Sequence, residues 1–400
     1  MKNPFQRVCI PLYFLLMLGC QSSPVNPLEQ IMASEEPKIK AIADQLAAHE
    51  VQILYTQIER NITNRPSFKE FEFQLDDTFY FYPASTAKLP VAILALQKIR
   101  SLQKEGIDIS LDHRFVIKDS SGALIIEKDS TSKTGYPSIG HMIKKIFLVS
   151  DNEAYNYLFD FLGRDYVNEE LSKKGMTPSH LNHKFLYGAD NQHTWTYAFY
   201  NDRDELTYAQ PSITSKIEKH DLPLKGMKKG IGYTDNDGKL YREPFDFSEK
   251  NFFSLRSLNR ILLAIVFPES LPQEAQFELF DHDYEFLTFW MSRTTFESDY
   301  PNYRSPDYFD SYVKFFLFGD ERGPVPKHIR VYNKVGNAYG TLTEVAYVQD
   351  SLNHVEFMLA ATIQVNANQI FNDGVYEYDS LGIPFMAELG RQLYAYELNR

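Results

Sequence analysis

The sequence is poor in cysteine: its 400 residues include two, Cys9 and Cys20. Cys9 lies inside an N-terminal apolar run read below as a removable address, so the rest of the chain has no pair for a disulfide and must be stabilised by packing. Positive charge is also in deficit, with 41 Lys and Arg against 53 Asp and Glu and a net charge of −12. That balance argues against a nucleic-acid partner, whose affinity rests on basic patches that release counterions. No later apolar stretch is long enough to span a membrane as a helix. There is no His-Glu-x-x-His, and the short spacings His180/His183 and Asp281-His282-Asp283 lack a third ligand, so no metal and no cofactor is expected. The string Asp235-Asn236-Asp237-Gly238 misplaces the glycine of a calcium loop and lacks its closing glutamate. No internal repeat stands out. What is present is core material: 44% hydrophobic and 14% aromatic residues suffice for one large or two ordinary globular domains.

At the N-terminus, Lys2 and Arg7 precede an apolar run from Val8 to Leu18 that stops at Gly19-Cys20. The run is too short to cross a bilayer and reads as a signal peptide over 1–19. Ending in a small residue and cysteine, it resembles a bacterial lipoprotein signal. That resemblance implies that Cys20 carries lipid, that the protein is exported to the periplasmic face of the envelope, and that it meets membrane through this anchor alone. Gln21 and Ser22 carry no evident inner-membrane retention signal, which favours the outer membrane. Residues 20–33, polar and holding Pro24 and Pro27, suit a flexible tether.

Ser34, Glu35 and Glu36 then read as a helix start, with Ile39, Ile42 and Leu46 on one face. Val51–Ile58 and Phe71–Tyr82 are rich in β-branched and aromatic residues and predict strands, and Ser85–Lys104 predicts a helix. Near the C-terminus, Ile329–Lys334, Thr343–Asp350 and Val355–Val365 are three strand-like runs, followed by a helix with Phe385, Leu389, Leu393 and Tyr396 on one side. Strands at both ends must meet in one sheet. The expected fold is α+β: an antiparallel β-sheet flanked by N- and C-terminal helices, from 34–119 and 326–400, with a mainly helical lobe over 120–325. Within that lobe a polar insertion lies near 200–250, where Asn236-Asp237-Gly238 between Tyr233 and Leu240 predicts a hairpin turn.

Chemistry concentrates in three places. Ser85-Thr86-Ala87-Lys88 lies where FYFYPA gives way to a helix, so the serine hydroxyl stands at a helix N-terminus and Lys88, one turn on, shares its face. Serine is a weak nucleophile until a base takes its proton, and a lysine desolvated beside another cation can be neutral enough to do so. Ser-x-x-Lys alone is unspecific: it recurs at Ser101/Lys104, Ser130/Lys133 and Ser311/Lys314, each of which reads as a solvated surface pair. The second element is Ser150-Asp151-Asn152, closing the apolar run HMIKKIFLV.

With SDNEAYNYL about 65 residues after Ser85, the chain resembles the class A β-lactamases and penicillin-binding proteins, whose signature is Ser-x-x-Lys, Ser-Asp-Asn and Lys-Thr-Gly. Two segments compete for the third box. Lys133-Thr134-Gly135 has the letters but precedes Ser150 and lacks strand character; Lys334-Val335-Gly336 follows the strand IRVYN and is preferred. The resemblance covers Ser34 to about Asn182 and Phe252 to Arg400, and implies a β-lactamase/transpeptidase-like fold. It further implies that Ser85 attacks a carbonyl, Lys88 takes its proton, and Ser150, held between Lys88 and Lys334, passes a proton to the leaving nitrogen. Asn152 would bind the substrate amide, Gly336 would line the strand edge, and the N–H groups of Ser85 and Asn337 would hold the oxyanion. The implied partner is a small-molecule or peptidoglycan-peptide substrate, met by a monomer.

Two departures bear on the reaction. The family's water-activating loop glutamate should fall near 180–192, where Asp190 is the one acid in SHLNHKFLYGADNQH; and Val335 replaces a hydroxyl that helps hold the substrate carboxylate. The readings left open are a class A-like hydrolase of β-lactams or related acyl compounds, a D-Ala-D-Ala carboxypeptidase or esterase on the same scaffold, and a non-catalytic envelope lipoprotein.

Overall fold

The computed structural model describes residues 26–217 and 222–400, so the signal segment, Cys20 and the first part of the tether lie outside the described residues. Two short helices open the described chain, α1 (Pro27–Met32) and α2 (Pro37–Ala43). Both begin with proline at their first position, where a missing N–H costs no hydrogen bond. The side chains of Asn26 and Glu36 cap them, accepting from Leu28 N and from Lys38 N and Ile39 N. This corrects the expectation of a tether running to residue 33, because Leu28 and Ile31 are buried in the core. Two apolar side chains one turn apart suffice to dock so short a helix.

Strand β1 (Gln52–Arg60) pairs with β2 (Pro66–Phe73). The second strand therefore ends at Phe73, and the Phe and Tyr residues of 79–82, read as strand from their β-propensity, form a loop leading to Ser85. Tertiary packing overrides propensity there: Tyr80 and Tyr82 are buried in an aromatic cluster with Phe247, Phe252 and Phe371. Helix α3 (Lys88–Lys104) follows, with Leu89, Val91, Ala92, Ile93, Leu94, Ala95 and Leu96 all fully buried, which makes it the central helix of the molecule.

The middle of the chain is less helical than its pattern suggested. Strands β3 (Arg114–Lys118), β4 (Leu124–Ile126), β5 (Thr196–Tyr200) and β6 (Leu206–Gln210) form a separate sheet in the order β4-β3-β5-β6. Between them run α4 (Ile139–Val149) and α5 (Asn152–Leu162), then α6 (Leu255–Val266) and α7 (Asp281–Ser292) further on. The polar segment forms short pairings, among them Gly232–Thr234 with Leu240–Tyr241 around the turn at Asn236-Asp237-Gly238.

Three long strands, β7 (Ile329–Ala338), β8 (Thr341–Asp350) and β9 (Val355–Gln364), and helix α8 (Ile383–Leu398) complete the fold. The five-stranded sheet runs β7-β8-β9-β1-β2, every neighbour antiparallel. A two-residue loop, Tyr339-Gly340, joins β7 to β8 with φ of +53° and +77°, the left-handed pair that matches strand twist. Both faces of the sheet are covered, so its strands read as continuous apolar runs. Leu54, Val345, Met358 and Ala360 face α3–α6, while Ile53, Tyr55, Ala346, Leu359 and Ala361 face α1, α2 and α8. The fold is mixed α+β with antiparallel sheets.

Candidate active site

The site forms where α3, the α4–α5 junction and the outer strand β7 meet. Ser85 lies in a short 3-10 turn, Ala84–Ala87, that runs into α3, and the backbone N–H of Lys88 bonds to Ser85 O and Thr86 O. Three residues per turn place residues 85 and 88 on one side. Ala84 has φ +46°, a left-handed conformation for a residue with a Cβ, which costs on the order of 1–3 kcal/mol and persists only where packing over-determines it. The close packing comes from β7. A Cβ on Gly336 would lie 2.7 Å from both Pro83 O and Ser85 N and 2.8 Å from Thr86 N, so the bare backbone of the strand rests on the serine turn.

Ser150 ends α4 in the left-handed region, φ +58°, and Asp151 caps α5 by accepting from Ala154 N at 2.8 Å. This tight junction aims Ser150 at two lysines. Lys88 Nζ donates to Ser150 Oγ at 3.2 Å, to Asn152 Oδ1 at 2.6 Å and to Ser150 O; Lys334 Nζ donates to Ser150 Oγ at 2.8 Å and to Val335 O at 2.9 Å. None of Lys88's three bonds goes to Ser85. A hydroxyl accepts through two lone pairs and donates through one proton. With both lone pairs of Ser150 facing ammonium groups, its proton is free to be donated elsewhere.

Electrostatics follow from burial. Lys88 is fully buried, and desolvation brings its ammonium down to about 7, with Asp151 opposing the shift. Lys334 is pushed well below its ordinary value by burial first, then by the charges of Lys88 and Lys314, against Glu344. Two crowded, desolvated ammonium groups favour neutral amine, the form that accepts a proton.

A cleft of about 1000 Å³ opens beside Ser85, with Asn152 and Asn337 in its wall. Its far side is the loop 182–191, held by Asn251 Oδ1 accepting from Asn182 N and His183 N, by Asn156 Oδ1 accepting from Phe185 N, and by the ion pair Lys184–Asp160 at 2.5 Å. Phe185 sets its ring 5.3 Å from Lys88 Nζ. His183 stacks on Tyr82 with centroids 6.2 Å apart, its Nδ1 bonded to Lys184 O, and burial lowers its imidazole to about 4. Asp190 turns outward to His193 at 2.8 Å, exposed, and does not line the cleft.

Of the competing motifs, Lys133 is exposed and lies apart from this cluster. Ser101 bonds to Gln97 O and Lys104 to Glu278, in keeping with a surface role. Ser311/Lys314 does not have the surface setting read from the sequence. Lys314 is buried, with Nζ bonded to Met291 O at 2.7 Å, Val331 O at 2.8 Å and Asn333 Oδ1 at 2.6 Å, and burial brings it to about 7. Val335 is likewise buried, in the core with Val331, Leu342 and Ala346, and gives the cleft no polar group. Sequence reasoning missed Phe185, His183 and Tyr339 as cleft residues, and nothing in the local pattern marks them, since their positions depend on loop packing.

Residues 36–218 match the model of the β-lactamase enzyme family. No curated protein matches the sequence. Among solved structures, the chain is similar to PBP-A at 15% identity and TM-score 0.49, with 93% of this chain and 96% of that one covered. It is similar also to a β-lactamase from Burkholderia ambifaria at 13% identity and TM-score 0.48, covering 88% and 98%, and to one from Sphaerobacter thermophilus DSM 20745 at 14% and 0.43, covering 88% and 93%. The segment that supplies Ser85, Lys88 and Ser150 therefore matches the β-lactamase enzyme family, to which the chain is similar.

Proposed function

We propose that Ser85 is the nucleophile of an acyl-enzyme reaction on β-lactams or related acyl compounds, in the manner of the class A enzymes. The observation that carries this reading is the meeting of Lys88 and Lys334 on Ser150 Oγ, beside the turn that bears Ser85. Lys88 in its neutral form takes the Ser85 proton as Oγ bonds to the carbonyl carbon. The resulting oxyanion is held by the N–H groups of Ser85 and Asn337, each donor of this type contributing on the order of 10²–10³ in rate. When the C–N bond breaks, Ser150 gives its proton to the leaving nitrogen and regains one from the lysine pair. Asn152 and the Gly336 edge position the substrate. Hydrolysis needs water to attack the ester carbonyl and release Ser85.

One observation favours a second reading for the last step. No acid of the loop 182–191 lines the cleft, and Asp190 is engaged with His193 on the exposed side. The acids that do line the cleft, Asp246 and Glu249, come from the insertion, and where neither activates water the acyl-enzyme persists, which is the behaviour of a penicillin-binding peptidase rather than of an efficient lactamase. Lipidation at Cys20 and a place on the periplasmic face of the envelope remain part of the proposal, supported by the sequence of 1–20.

A fluorescent penicillin followed over time tests it. Label that appears and decays marks a lactamase; label that persists marks the peptidase type; no label on the folded protein removes the acyl-enzyme reading.

A further inference from the structure

We infer that Lys250, contributed by the polar insertion, is the group that anchors the substrate's carboxylate in this cleft. The inference rests on the acyl-enzyme reading of Ser85 and adds to it the group that selects the substrate. Two cations line the cleft beside Ser85: Lys184 and Lys250. Lys184 is neutralised by Asp160 at 2.5 Å. Lys88 and Lys334 spend their hydrogen bonds on Ser150, Asn152 and backbone oxygens. Among the described residues no carboxylate pairs with Lys250. Its ammonium instead stands over the rings of Phe245 and Tyr339, 5.8 and 5.9 Å from their centroids.

An unpaired, partly buried ammonium is unusual in a chain of net charge −12. Burial lowers Lys250 below its ordinary value, against Glu249, so the charge is held at a cost that an arriving anion would offset. The two acids near it do not take that role: Asp246 accepts from Ser248 N at 2.9 Å and faces Lys228 at 3.7 Å, and Glu249 is a chain neighbour with an exposed side chain. The two rings are fixed in turn, Phe245 lying 5.4 Å from Tyr339 and Tyr339 5.1 Å from Tyr82, three residues before Ser85. Tyr339 also follows Asn337 by two positions, in the loop just beyond the strand that borders the serine. The cage therefore ties the cation's position to the reacting centre. It gives the cleft a cation, while Val335, buried in the core, gives it no hydroxyl.

The test compares second-order acylation of Ser85 by a fluorescent penicillin with a free carboxylate and by the methyl ester of the same compound. For the native chain the acid should react faster than the ester. In Lys250→Met the acid-to-ester ratio should fall roughly 10- to 100-fold, the loss expected for one charge-assisted contact. Lys250→Arg should keep the ratio within about threefold of native, since guanidinium also pairs with carboxylate. Should Lys250→Met fail to fold, as judged by its thermal transition, Lys250→Gln gives the same reading. An unchanged ratio in the neutral variants, or an equal slowing of acid and ester, overturns the inference. A native chain that reacts with neither compound removes the Ser85 reading itself, and this one with it.

Discussion

Gly336→Ala puts the geometry of the site under its sharpest test. The added Cβ would lie 2.7 Å from Pro83 O and Ser85 N and 2.8 Å from Thr86 N, all backbone atoms that no rotamer change can move. Ordinary contact begins at 3.4 Å. Strand β7 or the serine turn must therefore retreat by roughly 0.7 Å, and misplacement approaching 1 Å at a reacting centre costs up to about 10²-fold in rate. Overpacking of this kind destabilises by about 1–3 kcal/mol, which a fold of this size survives. The expected outcome is a folded protein with a thermal midpoint lowered by a few degrees and penicillin acylation slowed about 10- to 100-fold. Gly323→Ala is the matched control, since a Cβ there meets nothing within 4 Å and should change neither quantity. Acylation of Gly336→Ala at the native rate would refute the claim that the strand backbone seats the serine turn.

The depressed ammonium of Lys88, at about 7, predicts that acylation falls roughly tenfold per pH unit on the acid side of that value and levels off above it, because the protonated form cannot accept a proton. A flat single-turnover profile between about pH 5 and 9 would remove Lys88 as the base. Lys314→Met leaves Met291 O, Val331 O and Asn333 Oδ1 without their donor in the core, and should cost about 3–5 kcal/mol in urea unfolding; a loss under about 1 kcal/mol would show that the buried cation is not a strut. Asp190→Asn should alter the lifetime of the penicillin label by less than about twofold, because this carboxylate lies outside the cleft. A strongly lengthened lifetime would make it the water-activating group.

The sheet and the central helix were legible because their cause is local. Runs such as VEFMLAATIQ carry the two-sided burial of an inner strand in their composition, and the Tyr339-Gly340 loop carries its turn. The motifs of Ser85, Lys88, Ser150 and Lys334 were legible as patterns, and the structure brings Lys88, Ser150 and Lys334 into contact beside the serine turn. What escaped the sequence depends on distant partners. Lys314 looks like any surface lysine until Met291 O and Val331 O, from a helix and a strand elsewhere, close around it. Residues 79–82 have the composition of a strand, yet Tyr80 bonds to Asn251 O and the segment packs on the insertion instead of pairing in the sheet. The unpaired state of Lys250 is visible only once the cleft is assembled from segments far apart in the chain.

The central claim is that one hydroxyl, that of Ser85, receives the acyl group. Mass spectrometry of the penicillin-treated protein after proteolysis tests it most directly. A single adduct on the peptide containing Ser85, absent from Ser85→Ala, is the predicted result. An adduct on any other residue, or equal labelling of Ser85→Ala, would contradict it.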